Sequence, residues 1–171
     1  LSIINFPGSG IELALGGGHR IEGNFIGLDV DGLTSRGNAE GGVNIPPPVF
    51  AAGPPVRDNL VGGTTPAARN VISGNGVGVQ LRDSPGNRVQ GNFIGTDAAG
   101  LRRRGNHGSG VLLGGRHTSG NLIGGTTTAA RNVISGNGTP SGVFRHGLTL
   151  SGCVSNIIQG NHVGTDVTGT R

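Results

Sequence analysis

The chain contains no lysine, methionine, tryptophan or tyrosine, and it has a single cysteine. One cysteine excludes an intrachain disulfide, and Cys153, with no His–Asx arrangement around it, reads as a small filler in a turn rather than a nucleophile. Five Phe are the only aromatic residues, so stacking recognition of sugars or of single-stranded nucleic acid is poorly supplied. The basic side chains are all arginine, the formal charge is +4, and only Arg102-Arg103-Arg104 forms a local cluster. A nucleic-acid footprint needs a basic face, so no nucleic-acid partner is expected. No apolar run approaches the eighteen residues of a membrane span, and the amino end shows no charged region followed by a signal core. Leu1 opens the chain in mid-pattern, which points to a processed protein or a segment of a longer array.

Glycine is what the chain has in excess, 37 of 171 residues, against 33% hydrophobic residues. The glycines do not recur every third residue, which excludes collagen. Aliphatic pairs such as Val71-Ile72 and Val133-Ile134 return on schedule, unlike in a disordered tract. The repetition is near-verbatim. NLVGGTTPAARNVISGNG at 59–76 returns as NLIGGTTTAARNVISGNG at 121–138, and GNFIGLD at 23–29 returns as GNFIGTD at 91–97 and GNHVGTD at 160–166. Fixed self-similarity of this length is the signature of a stacked array.

Aligned on each other, the two units are alternating versions of one coil. Each coil opens at a glycine, Gly10, Gly42, Gly78, Gly110 or Gly147, followed by a short alternating strand: Ile11-Glu12-Leu13, Val43-Asn44-Ile45, Val79-Gln80-Leu81, Val111-Leu112-Leu113 and Leu148-Thr149-Leu150. A turn follows at His19, Asn59, Asn87, Asn121 and Asn156, then a second strand through Ile21, Val61, Val89, Ile123 and Ile158. Another corner is expected at Asn24, Thr64, Asn92, Thr126 and Asn161, and a third strand at Ile26, Ile72, Ile94, Ile134 and Val163. Leu1–Phe6 reads as the closing strand of a preceding coil. Strands this short bury nothing alone, but stacked in parallel they line up like side chains into aliphatic columns. The expected fold is therefore all-β: a single right-handed parallel β-helix over residues 1–171, about five rungs in alternating two-rung super-repeats, with asparagine ladders at the corners.

The corners Asn87-Arg88-Val89-Gln90-Gly91-Asn92 and Asn156-Ile157-Ile158-Gln159-Gly160-Asn161 carry a resemblance. The whole chain resembles the right-handed parallel β-helix repeat proteins of bacterial and archaeal secreted and surface proteins, an architecture shared with pectate-lyase-like enzymes and phage tailspikes. That resemblance implies a fold and an extracellular or cell-surface setting; it implies little about activity, because the fold hosts lyases, hydrolases, adhesins and spacers alike.

Catalytic chemistry is hard to find in the pattern. A lyase of this architecture would resemble its relatives in clustering acids that hold calcium on one strand face, yet the outward row of the first strands is Glu12, Asn44, Gln80, Leu112 and Thr149, with one acid. The recurring acids Asp29, Asp97 and Asp166 lie two rungs apart, roughly 9.6 Å by strand spacing. They fall at Gly-rich turns and align with Asn75 and Asn137, which favours an Asn/Asp ladder over a paired-carboxylate hydrolase. Asp29-Val30-Asp31-Gly32 has the flavour of a calcium loop but lacks the remaining ligands. His19, His107, His117, His146 and His162 are scattered, with no metal-ligand spacing, and His162 takes the packing position of Phe25 and Phe93. The proline-rich stretch Pro46–Pro55 reads as a stiff surface excursion.

No catalytic, cofactor-binding or metal-ligating residue is assigned, and no cofactor is expected. The expected function is that of an extracellular structural or surface module: a spacer, an adhesin stalk or a filament subunit that self-associates through its rod ends. The alternative is a carbohydrate-active enzyme or a polysaccharide-binding module of the pectate-lyase-like class.

Overall fold

The computed structural model describes residues 1–48, 54–139 and 146–170. The chain folds into a right-handed parallel β-helix, as the coil pattern requires. A closing strand β1 (Ser2–Ile3) is followed by five coils of three strands each. The coils are β2 (Ile11–Glu12), β3 (Arg20–Ile21) and β4 (Phe25–Ile26); β5 (Gly41–Ile45), β6 (Leu60–Gly62) and β7 (Val71–Ile72); β8 (Val77–Arg82), β9 (Arg88–Gln90) and β10 (Phe93–Ile94). Two more follow: β11 (Val111–Gly114), β12 (Leu122–Gly124) and β13 (Val133–Ile134), then β14 (Leu148–Ser151), β15 (Ile157–Gln159) and β16 (His162–Val163). They stack into a first sheet β2-β5-β8-β11-β14, a second sheet β3-β6-β9-β12-β15 and a third sheet β1-β4-β7-β10-β13-β16. Every strand pairing is parallel, and a parallel crossover takes the right-handed path. Among the described residues the only helical elements are two 3-10 turns, and no helix is long and apolar enough to cross a membrane.

The register matches the expected columns. Val43, Val79 and Val111 align in the first sheet, Val61, Val89 and Ile123 in the second, and Ile26, Ile72, Ile94 and Ile134 in the third, all buried. Ile3 aligns with Ile26, so Ser2–Ile3 stands as a third-sheet strand stacked on β4.

The coil-start glycines make room for the third column. A Cβ on Gly78 would lie 2.7 Å from Ile94 Cγ2 and overlap the Gly110 carbonyl, and a Cβ on Gly110 would lie 2.6 Å from Ile134 Cγ2. Gly78→Ala is accordingly expected to cost about 1–3 kcal/mol by overpacking against a backbone carbonyl that cannot swing away. Urea denaturation of the variant beside its parent checks this.

Polar corners bind the rungs together through three asparagine ladders. In the first, Asn59, Asn87, Asn121 and Asn156 each accept, through Oδ1, the backbone N–H of the residue one rung above, beginning with His19 N–H to Asn59 at 2.9 Å. The second runs Asn24, Asn70, Asn92, Asn132, Asn161. Thr64 and Thr126 do not stand in it as expected. The coils that contain them insert a 3-10 turn (Pro66–Ala68; Thr128–Ala130) capped by Thr65 or Thr127, and the chain reaches the corner only afterwards, at Asn70 and Asn132. The third ladder is Asn38, Asn75, Asn106, Asn137.

The expected Asn/Asp ladder is therefore corrected. Asp29, Asp97 and Asp166 do not share a corner with Asn75 and Asn137: Asp29 and Asp97 begin excursions that return to the ladder only at Asn38 and Asn106, and Asp166 begins the same Asp-x-x-Gly turn. These excursions cover the outer face of the third sheet and bury a second apolar cluster of Leu28, Val71, Phe93 and Val133, against which Phe25 packs. His162 continues the same row, in register with Val133, with its Nδ1 3.2 Å from the Asp166 carbonyl.

Candidate functional site

The recurring acids anchor their own turns. Asp97 is buried, and its Oδ1 accepts the N–H groups of Leu101 at 2.9 Å and Arg102 at 3.2 Å. Asp166 accepts the Thr168 N–H at 2.9 Å, and Asp29 pairs with Arg36 at 3.0 Å. In the calcium-like run, Asp31 accepts the Leu33 and Thr34 N–H groups at 2.8 Å and the Thr34 hydroxyl at 2.6 Å. The Thr34 hydroxyl, foremost among these donors, holds the Asp31 carboxyl down at about 2. Its oxygens are occupied within the turn.

The basic run braces these excursions. Arg103 donates from Nε to the Gly136 carbonyl at 2.8 Å and from Nη2 to the Gly138 carbonyl at 2.7 Å, and Arg104 donates to the Leu33 carbonyl. Cys153 is half-buried against the main core. His19 heads the first ladder, His107 Nδ1 lies 3.1 Å from the Asn75 carbonyl, and His146 is exposed. Among the described residues no group of three or more His, Cys, Asp or Glu is placed to hold a metal ion.

Two features of the first sheet's outer face were not legible in the repeat. At one end Glu40 borders a hollow of about 230 Å³ with Ser9, Asn44 and Gln80, while Asn44 Nδ2 donates to Glu12 at 3.1 Å. At the other, a cavity of about 580 Å³ is walled by Pro47, Pro48, Pro55 and Pro85 around Asp83, Arg116 and His117. Asp83 sits at a φ of 46°, and its Oδ1 accepts the His117 N–H at 3.1 Å. Gly115, at a φ of 91°, leaves the space this carboxylate fills: a Cβ there would lie 2.5 Å from Asp83 Oδ1. The signal available in the sequence was Arg82-Asp83-Ser84-Pro85, a run leading from the first strand to Asn87 that no other coil repeats. Val49–Gly53 of the proline-rich excursion lie outside the described residues.

This cavity is the candidate site. It brings one carboxylate, one guanidinium and one imidazole to a proline-lined wall. A single acid supports binding and orientation of a polar ligand; it does not supply the carboxylate pair that glycoside hydrolysis uses. Comparison with protein-family models, with curated proteins and with solved structures gave no match.

Proposed function

We propose that this chain is a structural β-helix module, a spacer or stalk segment of an extracellular or cell-surface protein, whose rod ends stack on further rungs. The observation that supports this reading is where the repeated polar residues go. All three asparagine ladders bond rung to rung, and each recurring acid is spent on its own turn or on a neighbouring arginine. Open edges fit the same reading. At the β14–β16 end Leu150, Ile158 and Val163, members of the aliphatic columns, are 50%, 37% and 47% exposed, a cross-section that stacking would cover.

The alternative, a polysaccharide-binding or carbohydrate-active module resembling the pectate-lyase-like class, is favoured by one observation, the proline-walled cavity around Asp83 and Arg116. The two readings part on whether the parent cleaves or binds polysaccharide. Under the structural reading, Asp97→Asn changes no lytic or hydrolytic activity. Asp97 is buried, so the exchange of a charged acceptor for a neutral one is expected to cost about 1 kcal/mol of stability. Incubation of the parent and the variant with neutral and acidic polysaccharides, followed by chain-length analysis, tests it. Cleavage by the parent would contradict the structural reading, at Asp97 if the variant has lost it and at another site, such as the Asp83 cavity, if the variant keeps it.

A further inference from the structure

The two-rung super-repeat has a steric cause. The first, third and fifth coils carry an Asp-x-x-Gly excursion at the third corner, and successive excursions touch each other directly across the coil between them. Ala98 N–H donates to the Gly32 carbonyl at 3.0 Å, and Val167 N–H donates to the Gly100 carbonyl at 2.9 Å. Each excursion thus fills two rung heights, roughly 9.6 Å. The second and fourth coils, lying beneath, are held to a tight Gly-Asn corner. A Cβ on Gly74 would overlap Ser35 Oγ, and one on Gly136 would lie 2.7 Å from Arg103 Cγ. Where a methyl group does not fit, a second excursion does not fit either.

At the second corner the roles are exchanged. The 3-10 turns of the second and fourth coils fill the height there, and the first and third coils meet them with a glycine: Gly23 N–H donates to Ala68 O at 3.2 Å, and Gly91 N–H to Ala130 O at 3.0 Å. On the other flank Arg69 Nε reaches the Gly91 carbonyl at 3.1 Å, and Arg131 Nε the Gly160 carbonyl at 2.9 Å. Gly160, in the fifth coil, holds the conformation of Gly23 and Gly91, with φ values of 66°, 69° and 68°. Ile157 and His162 donate back to Asn121 and Asn132, so the alternation of a parallel ladder directs the N–H groups of Ile158 and Val163 toward the next rung.

We infer that the edge formed by β14, β15 and β16 is selective: it accepts a β-helix rung of the Gly-Gly-Thr-Thr-x-Ala-Ala-Arg-Asn type, with its 3-10 turn at the second corner and a short Gly-Asn third corner. It rejects a rung that carries an Asp-x-x-Gly excursion. Such an excursion would occupy the height already filled by residues 164–170, while the Gly160 N–H would meet no turn carbonyl. The inference rests on the reading that this edge stacks on further rungs, and adds which rung it takes.

Two fusions test it. Both extend the chain after Arg171 with residues 103–110; one continues with residues 111–138, the other with residues 79–106. Native-state hydrogen exchange is read at Ile158, Gly160 and Val163, in the parent chain and in both fusions. The 111–138 fusion is expected to slow exchange at all three amides by roughly tenfold or more, with the 79–106 fusion remaining near the parent. Equal protection by both fusions would overturn the selectivity while leaving end stacking intact. No protection by either would overturn both.

Discussion

Ile94→Asp is expected to unfold the central rungs. Ile94 is wholly buried, in register with Ile72 on one side and Ile134 on the other, and its Cγ2 fills the space left by Gly78. A carboxylate there has no cationic partner within the column, and an uncompensated buried charge costs several kcal/mol even after relaxation. The expected loss is more than about 5 kcal/mol, comparable with the whole stability of a small domain. Ile94→Ala, which leaves a cavity, is expected to cost about 2–5 kcal/mol. Leu101→Asp, at a position 57% exposed on an excursion, should stay within about 0.5 kcal/mol. Far-ultraviolet dichroism with urea titration ranks the three. Because every strand of a rung pairs with the adjacent rungs, loss of hydrogen-exchange protection should spread from the third coil first into the second and fourth.

The second large effect is expected from Asn75→Leu. Asn75 is wholly buried. Its Oδ1 accepts the Asn38 N–H at 3.1 Å and the Asn38 Nδ2 at 2.8 Å, while its Nδ2 donates to the Ile26 carbonyl at 2.9 Å and to Asn106 Oδ1 at 3.1 Å. Leucine has nearly the same shape but leaves the Asn38 backbone N–H without its acceptor, and it removes one bond each from Asn38 Nδ2, the Ile26 carbonyl and Asn106 Oδ1, which keep their bonds to the Ile3 carbonyl, the Ser73 N–H and the residue 75 N–H. An unsatisfied buried group costs about 1–3 kcal/mol and each of the other lost bonds about 0.5–1.5 kcal/mol, so the expected loss is about 4 kcal/mol, more than a volume argument would give. Asn75→Asp separates the two halves of the amide. The variant keeps an accepting oxygen for Asn38, but turns the other oxygen toward the Ile26 carbonyl and Asn106 Oδ1, which hold out only lone pairs. Those acceptors and the burial favour the protonated carboxyl and push it above its ordinary range. The sign follows: relative to the parent, the variant recovers stability as pH falls toward about 4 and loses it as pH rises into the neutral range.

The fold was legible in the sequence because the chain states it several times. Column residues such as Val79, Val89 and Ile94 recur at matching places in each copy, so alignment alone placed them in the right sheets and registers. The second and third corners were harder. Thr64 and Asn24 occupy like places after a glycine, and nothing in the local pattern reveals that Thr65 caps a 3-10 turn and delays the corner to Asn70. Asp97 and Asn137 likewise follow the third strand at similar distances, but one opens an excursion and the other closes a tight turn. What separates them is the height each element fills, a property of the stacked rungs rather than of any single segment. The Asp83 cavity was missed for a different reason. It is assembled from the least repetitive parts of the second, third and fourth coils, where no second copy marks which residues meet.

The account turns on the claim that the repeated polar residues hold rung to rung, and a double-mutant cycle between Asn75 and Asn106 measures that most directly. Their side chains meet Nδ2 to Oδ1 at 3.1 Å, in the middle of the third ladder. Urea denaturation of Asn75→Leu, Asn106→Leu and the double variant is expected to give a coupling energy above about 1 kcal/mol, with the double variant losing less than the sum of the two singles. Additivity within about 0.5 kcal/mol would contradict it, because each asparagine would then be serving something other than the rung beside it.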